Sequence, residues 1–370
     1  MNILFLNMYP EYGGTEIYLQ RLISNLKKDK FVDNMYLISP KVEKFYENVE
    51  IDKENIFTVE APSFKNFKNM IQIGKYVDKL IEQLNIDCIY LNGLRAIILK
   101  PFIKTKNIRC IAVSHLSLVN NQDIKTKIRM NISNRILKNS LKEVDKIIVL
   151  SKNHKREMVE LKVATPEKIE VIYNGIDIED YKSSKNRDAE DSGKIKIIEI
   201  ARLHKTKGQA DLIDVISKLN KTYKNLEVNL VGDGIDREKL EVKISENKLD
   251  GVVNILGFRK DVKELINDSD IFILPSYIEG LPLSMLEAMS MNLPVIVSSI
   301  AGIPEVIENG ENGYLITPGK LVEIETALEN LISDKKLRVR MGNKARETVE
   351  NKFNDKICYE KTKKIILGQY

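Results

Sequence analysis

The sequence predicts two doubly wound α/β domains in one chain, and three observations predict them. Short, unbroken apolar runs alternate with stretches of helical apolar spacing along most of the chain, as expected of parallel strands buried on both faces and joined by crossover helices. The alternation is interrupted once, by the polar stretch 182–194, whose only apolar residue is Ala189, which reads as a domain boundary. The 370 residues are too many for one ordinary core and suit roughly two domains of ~100–200 residues each.

In the first half, strands are expected at 2–7, 34–38, 56–59, 88–91, 110–114, 146–150 and 169–173. The first is followed by a loop holding Gly13 and Gly14, then by a segment, 16–26, with apolar residues at Ile17, Leu22, Ile23 and Leu26, which is helical spacing. A strand, a Gly-Gly loop and a helix start form an anion-binding corner from backbone alone. Gly-Gly before a helix is also a common tight turn, so the signal is weak by itself. His115 follows the run IAVS, at the carboxyl end of an expected strand and on the same sheet edge as Gly13 and Gly14.

In the second half, strands are expected at 195–201, 226–231, 252–256, 271–274 and 294–297, with helices at 209–219, 237–244 and 282–290. The stretch 271–299 reads strand, loop, helix, strand, and parallel α/β sheets bind ligands beyond the carboxyl ends of their strands. Glu279 falls in that loop, with Gly280 allowing close backbone approach and Pro282 expected in the first helical turn. Glu287 follows eight residues later, inside the helix. Either acid alone would pass for a solvated surface residue. Arg202 and Lys207, in ARLHKTKG, lie in the loop after the strand at 195–201, where a guanidinium and an ammonium can both reach a diphosphate. The loop VGDG invites a dinucleotide reading, but Arg237 stands where G-x-G-x-x-G needs its third glycine.

Composition narrows the class. No apolar run approaches the ~18 residues of a membrane span, and the start lacks the basic segment and long apolar run of a signal peptide, so the expected location is the cytoplasm. Cys88, Cys110 and Cys358 have neither metal-site nor disulfide spacing and read as buried packing residues. No metal requirement is expected. Residues 1–177 carry 28 Lys and Arg against 21 Asp and Glu, +7, and the remainder 30 against 32, −2. Nothing points to nucleic acid.

Taken together and in order, Gly13-Gly14, His115, NGID at 174–177, RL-x3-KG, GDG, LGF and the E-x7-E pair Glu279 and Glu287 within EGLPLSMLEA resemble family 4 of the retaining, nucleotide-sugar-dependent glycosyltransferases, the glycosyl transferase group 1 proteins. The likeness runs nearly the whole length and is strongest over 202–315. It implies the GT-B fold, two facing Rossmann-like domains, here 1–173 and 174–353, with a last helix of about 354–370 crossing back to the first. It also implies a hexosyl- or N-acetylhexosaminyl-transferase that takes a nucleotide-diphosphate sugar, a UDP-sugar in preference to a GDP-sugar, and needs no metal. By position, Glu287 would bond the ribose hydroxyls, and Arg202 and Lys207 would hold the diphosphate. Glu279, Gly280 and Leu281 would meet the sugar. His115 would approach the sugar from the first domain and Gly13 and Gly14 would lie near the phosphates. Gly257, Phe258 and Arg259 would meet the base. Glu279, His115, Arg202 and Lys207 are the expected catalytic set. Ala201 and Asn292 stand where the family commonly has Gly.

The acceptor expected is a glycan or lipid-linked intermediate of cell-surface polysaccharide synthesis. Alternatives are a sugar-nucleotide epimerase on the same fold, or a non-catalytic subunit of a glycan assembly complex. Residues 121–142 carry six basic residues against Asp123, with Ile124, Ile128, Ile132, Ile136, Leu137 and Leu141 at helical spacing. Such a basic amphipathic helix would let the protein sit peripherally on an anionic membrane surface, at the inner face of the cell membrane.

Overall fold

The computed structural model describes residues 1–62, 67–115, 134–185, 187 and 193–369. The chain divides into two compact units, Met1–Asn174 with Cys358–Tyr370, and Gly175–Ile357.

The first unit is built on seven parallel strands: β1 (Asn2–Asn7), β2 (Asn34–Ser39), β3 (Ile56–Thr58), β4 (Cys88–Asn92), β5 (Arg109–Ser114), β6 (Lys146–Val149) and β7 (Ile169–Val171), in the order β3-β2-β1-β4-β5-β6-β7. Alternate residues of one strand serve opposite core layers. Leu4 and Leu6 pack with Ile73, Val77 and Ile97, while Ile3 and Phe5 pack with Leu19, Ile23 and Ile366. Both faces are therefore apolar, and the strands read as unbroken apolar runs. The last helix, Asp355–Leu367, is fixed to this unit from Cys358 on. Lys363 Nζ lies 2.5 Å from Asp29 Oδ2, Tyr359 donates to the same oxygen at 3.2 Å, and Arg109 Nη1 donates to the Ile366 carbonyl at 2.6 Å.

The second unit carries six parallel strands: β8 (Ile195–Ile200), β9 (Leu226–Val231), β10 (Val253–Gly257), β11 (Ile271–Leu274), β12 (Val295–Ser298) and β13 (Tyr314–Ile316), in the order β10-β9-β8-β11-β12-β13. Chain order reverses between β1 and β4 in one sheet and between β8 and β11 in the other, which opens a crevice at each switch point. The expected strands form within a residue or two of their bounds. The sequence reading did not include β13 or the helices Val262–Asp268, Leu321–Ser333 and Lys335–Lys352. Three residues carry no periodicity, and the last of these helices has its few apolar side chains diluted by charge. Pro282 caps the helix Leu283–Ser290 from outside, with ψ 127°, instead of occupying its first turn.

Cys88, Cys110 and Cys358 are all buried and free. Among the described residues no helix is long and apolar enough to cross a membrane. Residues 121–133 of the basic segment lie outside the described residues. Residues 134–141 are helical, with Leu137 and Leu141 in the core and Arg135 and Lys138 exposed. Ile136, counted above with the apolar stripe, is instead 41% exposed.

Candidate active site

In the second unit the site is assembled from loops at the carboxyl ends of β8, β9, β10 and β11. The loop after β8 carries Arg202, whose side chain is exposed, and Leu203, which is fully buried and anchors the turn. The VGDG loop after β9 supports it from beside. Leu203 N–H donates to the Asp233 carbonyl at 3.0 Å and Lys205 N–H to Asp236 Oδ2 at 2.7 Å. A Cβ on Gly232 would lie 2.0 Å from the Ala201 carbonyl oxygen, and one on Gly234 2.2 Å from that of Leu203. The two glycines therefore serve close packing against the Arg202 loop. Arg237, at the would-be third glycine, bonds Glu241 at 2.8 Å. Ala201 shows no left-handed backbone, whereas Asn292 does, with φ 59°, a conformation Asn tolerates.

Lys207 ends a short 3-10 turn, Lys205–Lys207, and the next residue, Gly208, is left-handed with φ 78°. The turn is tied to the loop after β11 through Tyr277 N–H, which donates to the Thr206 carbonyl at 2.8 Å. This brings Lys207 Nζ to 2.6 Å from Glu279 Oε1, and the Ser276 hydroxyl donates to the same oxygen at 2.8 Å. Gly280 is fixed in turn by Gly302 N–H on its carbonyl, 3.2 Å. Leu281 is buried, and Glu287 is buried within the helix that follows. Gly257 closes β10 with φ 67°, Phe258 projects with 46% exposure, and Arg259 Nε bonds Asp261 at 2.7 Å. Arg202, Lys207, Glu279, Gly280 and Leu281 thus belong to the two loops that flank the β8/β11 switch point, with the Gly257 loop two strands away from β8.

Sequence reasoning missed Glu199, on β8, which is 1% exposed; among the described residues neither carboxylate oxygen makes a hydrogen bond of good geometry, and the Gln209 side chain is its polar neighbour. Burial raises its pKa well above the usual carboxylate range; Lys207 opposes that rise and Glu279 adds to it. A lone acid in the run IKIIEI was the available signal.

In the first unit, Gly13 caps the helix Gly14–Leu26, and a Cβ on Gly14 would meet nothing within 4 Å, so open space lies beside that backbone. His115 stands just past β5, its Nε2 2.8 Å from Asn92 Oδ1, its ring edge-on to Tyr18 with centroids 5.0 Å apart. Burial, then the neighbouring His154, push its pKa down to about 3, so it is neutral. Asn7, Asn92 and Glu16 are buried beside it. The sequence did carry a hint of the first two, because β1 and β4 both end in Leu-Asn and the Asn residues are register partners.

Residues 12–180 match the family described as Glycosyltransferase Family 4, and residues 180–348 match Glycosyl transferases group 1. The chain belongs to the group 1 glycosyltransferases. An uncharacterized glycosyltransferase of Methanocaldococcus jannaschii is 28% identical over 386 residues, covering 98% of this chain and 97% of that one. The amylovoran biosynthesis glycosyltransferase AmsK of Erwinia amylovora is 32% identical over 208 residues, about half of each chain (54% and 51%). The structure of Anabaena HepE in complex with UDP-glucose superposes with a TM-score of 0.83 at 21% identity, covering 100% of both chains, a likeness of fold. As a glycosyltransferase of the GT-B fold, the protein carries its Lys207–Glu279 pair at the switch point of its second sheet and His115 at the matching edge of its first.

Proposed function

We propose that this glycosyltransferase moves a hexosyl or N-acetylhexosaminyl unit, with retention, from a nucleotide-diphosphate sugar to a hydroxyl of a glycan or lipid-linked acceptor in cell-surface polysaccharide synthesis. The observation that carries the reading is the contact of Lys207 Nζ with Glu279 Oε1 at 2.6 Å. A cation suited to a diphosphate and a carboxylate suited to sugar hydroxyls adjoin at a strand-end crevice. Arg202 and Lys207 would stabilise the charge that grows on the leaving diphosphate, an effect worth several kcal/mol, roughly, in a water-poor site. Glu279 and Gly280 would hold the sugar and Glu287 the ribose. A UDP-sugar is favoured, because HepE, of the same fold, is described with UDP-glucose. Polysaccharide assembly is favoured because AmsK is described as an amylovoran biosynthesis enzyme. A lipid-linked acceptor would put the reaction at the inner face of the cell membrane.

A thermal-shift panel of UDP, GDP and ADP, followed by their sugars, tests the donor. Ligand at 100 times its dissociation constant stabilises by ~2.7 kcal/mol. UDP should raise the melting temperature most, Arg202→Ala should abolish the shift, and a chelator should leave turnover unchanged. Nucleotide release that requires acceptor separates transfer from epimerisation. Absence of a shift with all three nucleoside diphosphates, or a shift undiminished in Arg202→Ala, would refute the reading.

A further inference from the structure

A buried chain of hydrogen bonds in the first unit ends at His115, and each link in it has a direction. Glu16 Oε2 accepts from Gly13 N–H at 2.9 Å, and Glu16 Oε1 accepts from Asn7 Nδ2 at 3.2 Å. Asn7 Oδ1 accepts from Asn92 Nδ2 at 3.0 Å, and the Thr15 carbonyl accepts from the same nitrogen at 3.2 Å. Asn92 Oδ1 then faces His115 Nε2 at 2.8 Å. A carboxylate and a backbone carbonyl can only accept, so they fix which end of each amide is NH2. Glu16 orients Asn7, and Thr15 and Asn7 both orient Asn92. The oxygen left for His115 must accept as well, which puts the ring proton on Nε2.

We propose that Glu16, Asn7 and Asn92 are positioning residues that hold His115 as the Nε2-protonated tautomer, leaving Nδ1 to accept a hydrogen bond from a substrate hydroxyl. The inference rests on the reading above only in supposing that His115 meets the substrate; the relay itself is a property of the free protein. It is built into the sheet. Asn7 and Asn92 are register partners on adjacent central strands, and Asn92 is in register with Val113 of β5, the strand that leads to His115. All three relay residues are buried, so water does not compete for their amides. Tyr18, its hydroxyl 2.7 Å from that of Tyr90, closes the ring's edge. The imidazole stays neutral because burial disfavours the cation. A ring so hard to protonate is a poor general base but a sound acceptor. The role assigned to Nδ1 is therefore to orient a hydroxyl.

Among the described residues, the titratable groups around the ring and its relay include Glu16 and Tyr18 on the helix Gly14–Leu26 and His154 on the helix Lys152–Glu160, with Tyr90 behind Tyr18 and Tyr9, beside Arg95, near Glu16. Asn92→Asp adds a carboxylate directly against Nε2. That carboxylate would favour the imidazolium and turn Nδ1 from acceptor into donor. Ring 15N spectra of wild type, in which only three histidines occur, should report His115 with Nε2 protonated and Nδ1 bare from pH 8 to pH 5. Asn92→Asp should lower kcat/KM at least tenfold at pH 5 relative to wild type and regain activity as pH rises toward 7 and the ring loses its proton. A merely structural defect would not follow that titration. Should Asn92→Asp fail to fold, His115→Asn and His115→Gln decide. An Asn side-chain amide falls where Nδ1 was and a Gln amide where Nε2 was, so Asn should retain at least fivefold more kcat/KM. A wild-type ring protonated on Nδ1 overturns the relay whatever the enzyme transfers. A sound tautomer combined with pH-independent activity in Asn92→Asp, or with Gln matching Asn, overturns the role of Nδ1. Failure of any nucleotide sugar to react, with the tautomer intact, counts against the proposed donor instead.

Discussion

Replacing Lys207 by Met separates what this side chain does for the fold from what it would do for a donor. Its ammonium sits 2.6 Å from Glu279 Oε1, with the two side chains 23% and 10% exposed. Exposed pairs contribute ~0–1 kcal/mol, and stranding one member of a fully buried pair costs ~3–5 kcal/mol. A half-buried pair should fall between, so Lys207→Met should destabilise the second unit by about 2 kcal/mol, or about 4–8 °C in melting temperature for a unit of this size. Glu279→Gln in the Lys207→Met background removes the stranded carboxylate and should recover most of that loss, giving a coupling energy of about 2 kcal/mol. For the ligand, a lost charge-assisted hydrogen bond to a diphosphate is worth ~1.5–3 kcal/mol, or roughly 10- to 150-fold in the dissociation constant. Titration calorimetry with UDP should show that weakening in Lys207→Met. Glu279→Gln, which releases Lys207 from its partner, should bind UDP as tightly as wild type and lose transfer. The reasoning fails if Lys207→Met keeps wild-type UDP affinity, or if Glu279→Gln weakens UDP as much as Lys207→Met does.

Four further outcomes follow from the same physics. His154 is buried with its pKa pushed down to about 4, so as pH falls below ~6.5 the unfolded chain takes up a proton that the folded one refuses. Stability should drop by about 3 kcal/mol between pH 7.5 and 4 on this account, and urea unfolding of His154→Gln should show a shallower pH slope. Glu199 has the opposite sign for an acid held protonated: its contribution is intact below ~4.3 and is lost as pH rises toward its elevated folded value. Glu199→Gln should therefore raise the melting temperature at pH 8 and leave it unchanged at pH 4. Ala301 has φ 50°, a left-handed conformation that costs an L-residue ~1–2 kcal/mol; Ala301→Gly, after its own entropy cost, should stabilise by about 0.5–1 kcal/mol in a thermal melt. Gly232→Ala would drive a Cβ to 2.0 Å from the Ala201 carbonyl at φ 140°. It should cost about 3 kcal/mol or more and weaken UDP binding by displacing the Arg202 loop.

The strands and their alternation with helices were legible because each depends on a pattern within ten or fifteen residues. β9 and β11 occupy 226–231 and 271–274, as apolar run and flanking turn required. Where that local pattern was short or diluted, as at β13 and in the helix Lys335–Lys352, it was not seen. The candidate residues were found because a strand's carboxyl end is a place the sequence marks, with Arg202 after IKIIEI and Glu279 after IFIL.

What the sequence by itself determined is therefore which residues stand at strand ends, and through the ordered motifs, the family. Only the tertiary structure decided which of them touch. Lys207 and Glu279 are 72 residues apart, and Asn7 and Asn92 85 apart. Their contacts exist because strand order puts β11 beside β8 and β4 beside β1, and non-local strand order leaves no local trace in composition or period. Burial was decided there too. Glu199 and Glu16 look like surface acids in the sequence. One is buried in the sheet with its pKa raised, and the other is the fixed end of a hydrogen-bond chain, since a charge's surroundings are set by what packs over it and not by its neighbours in the chain.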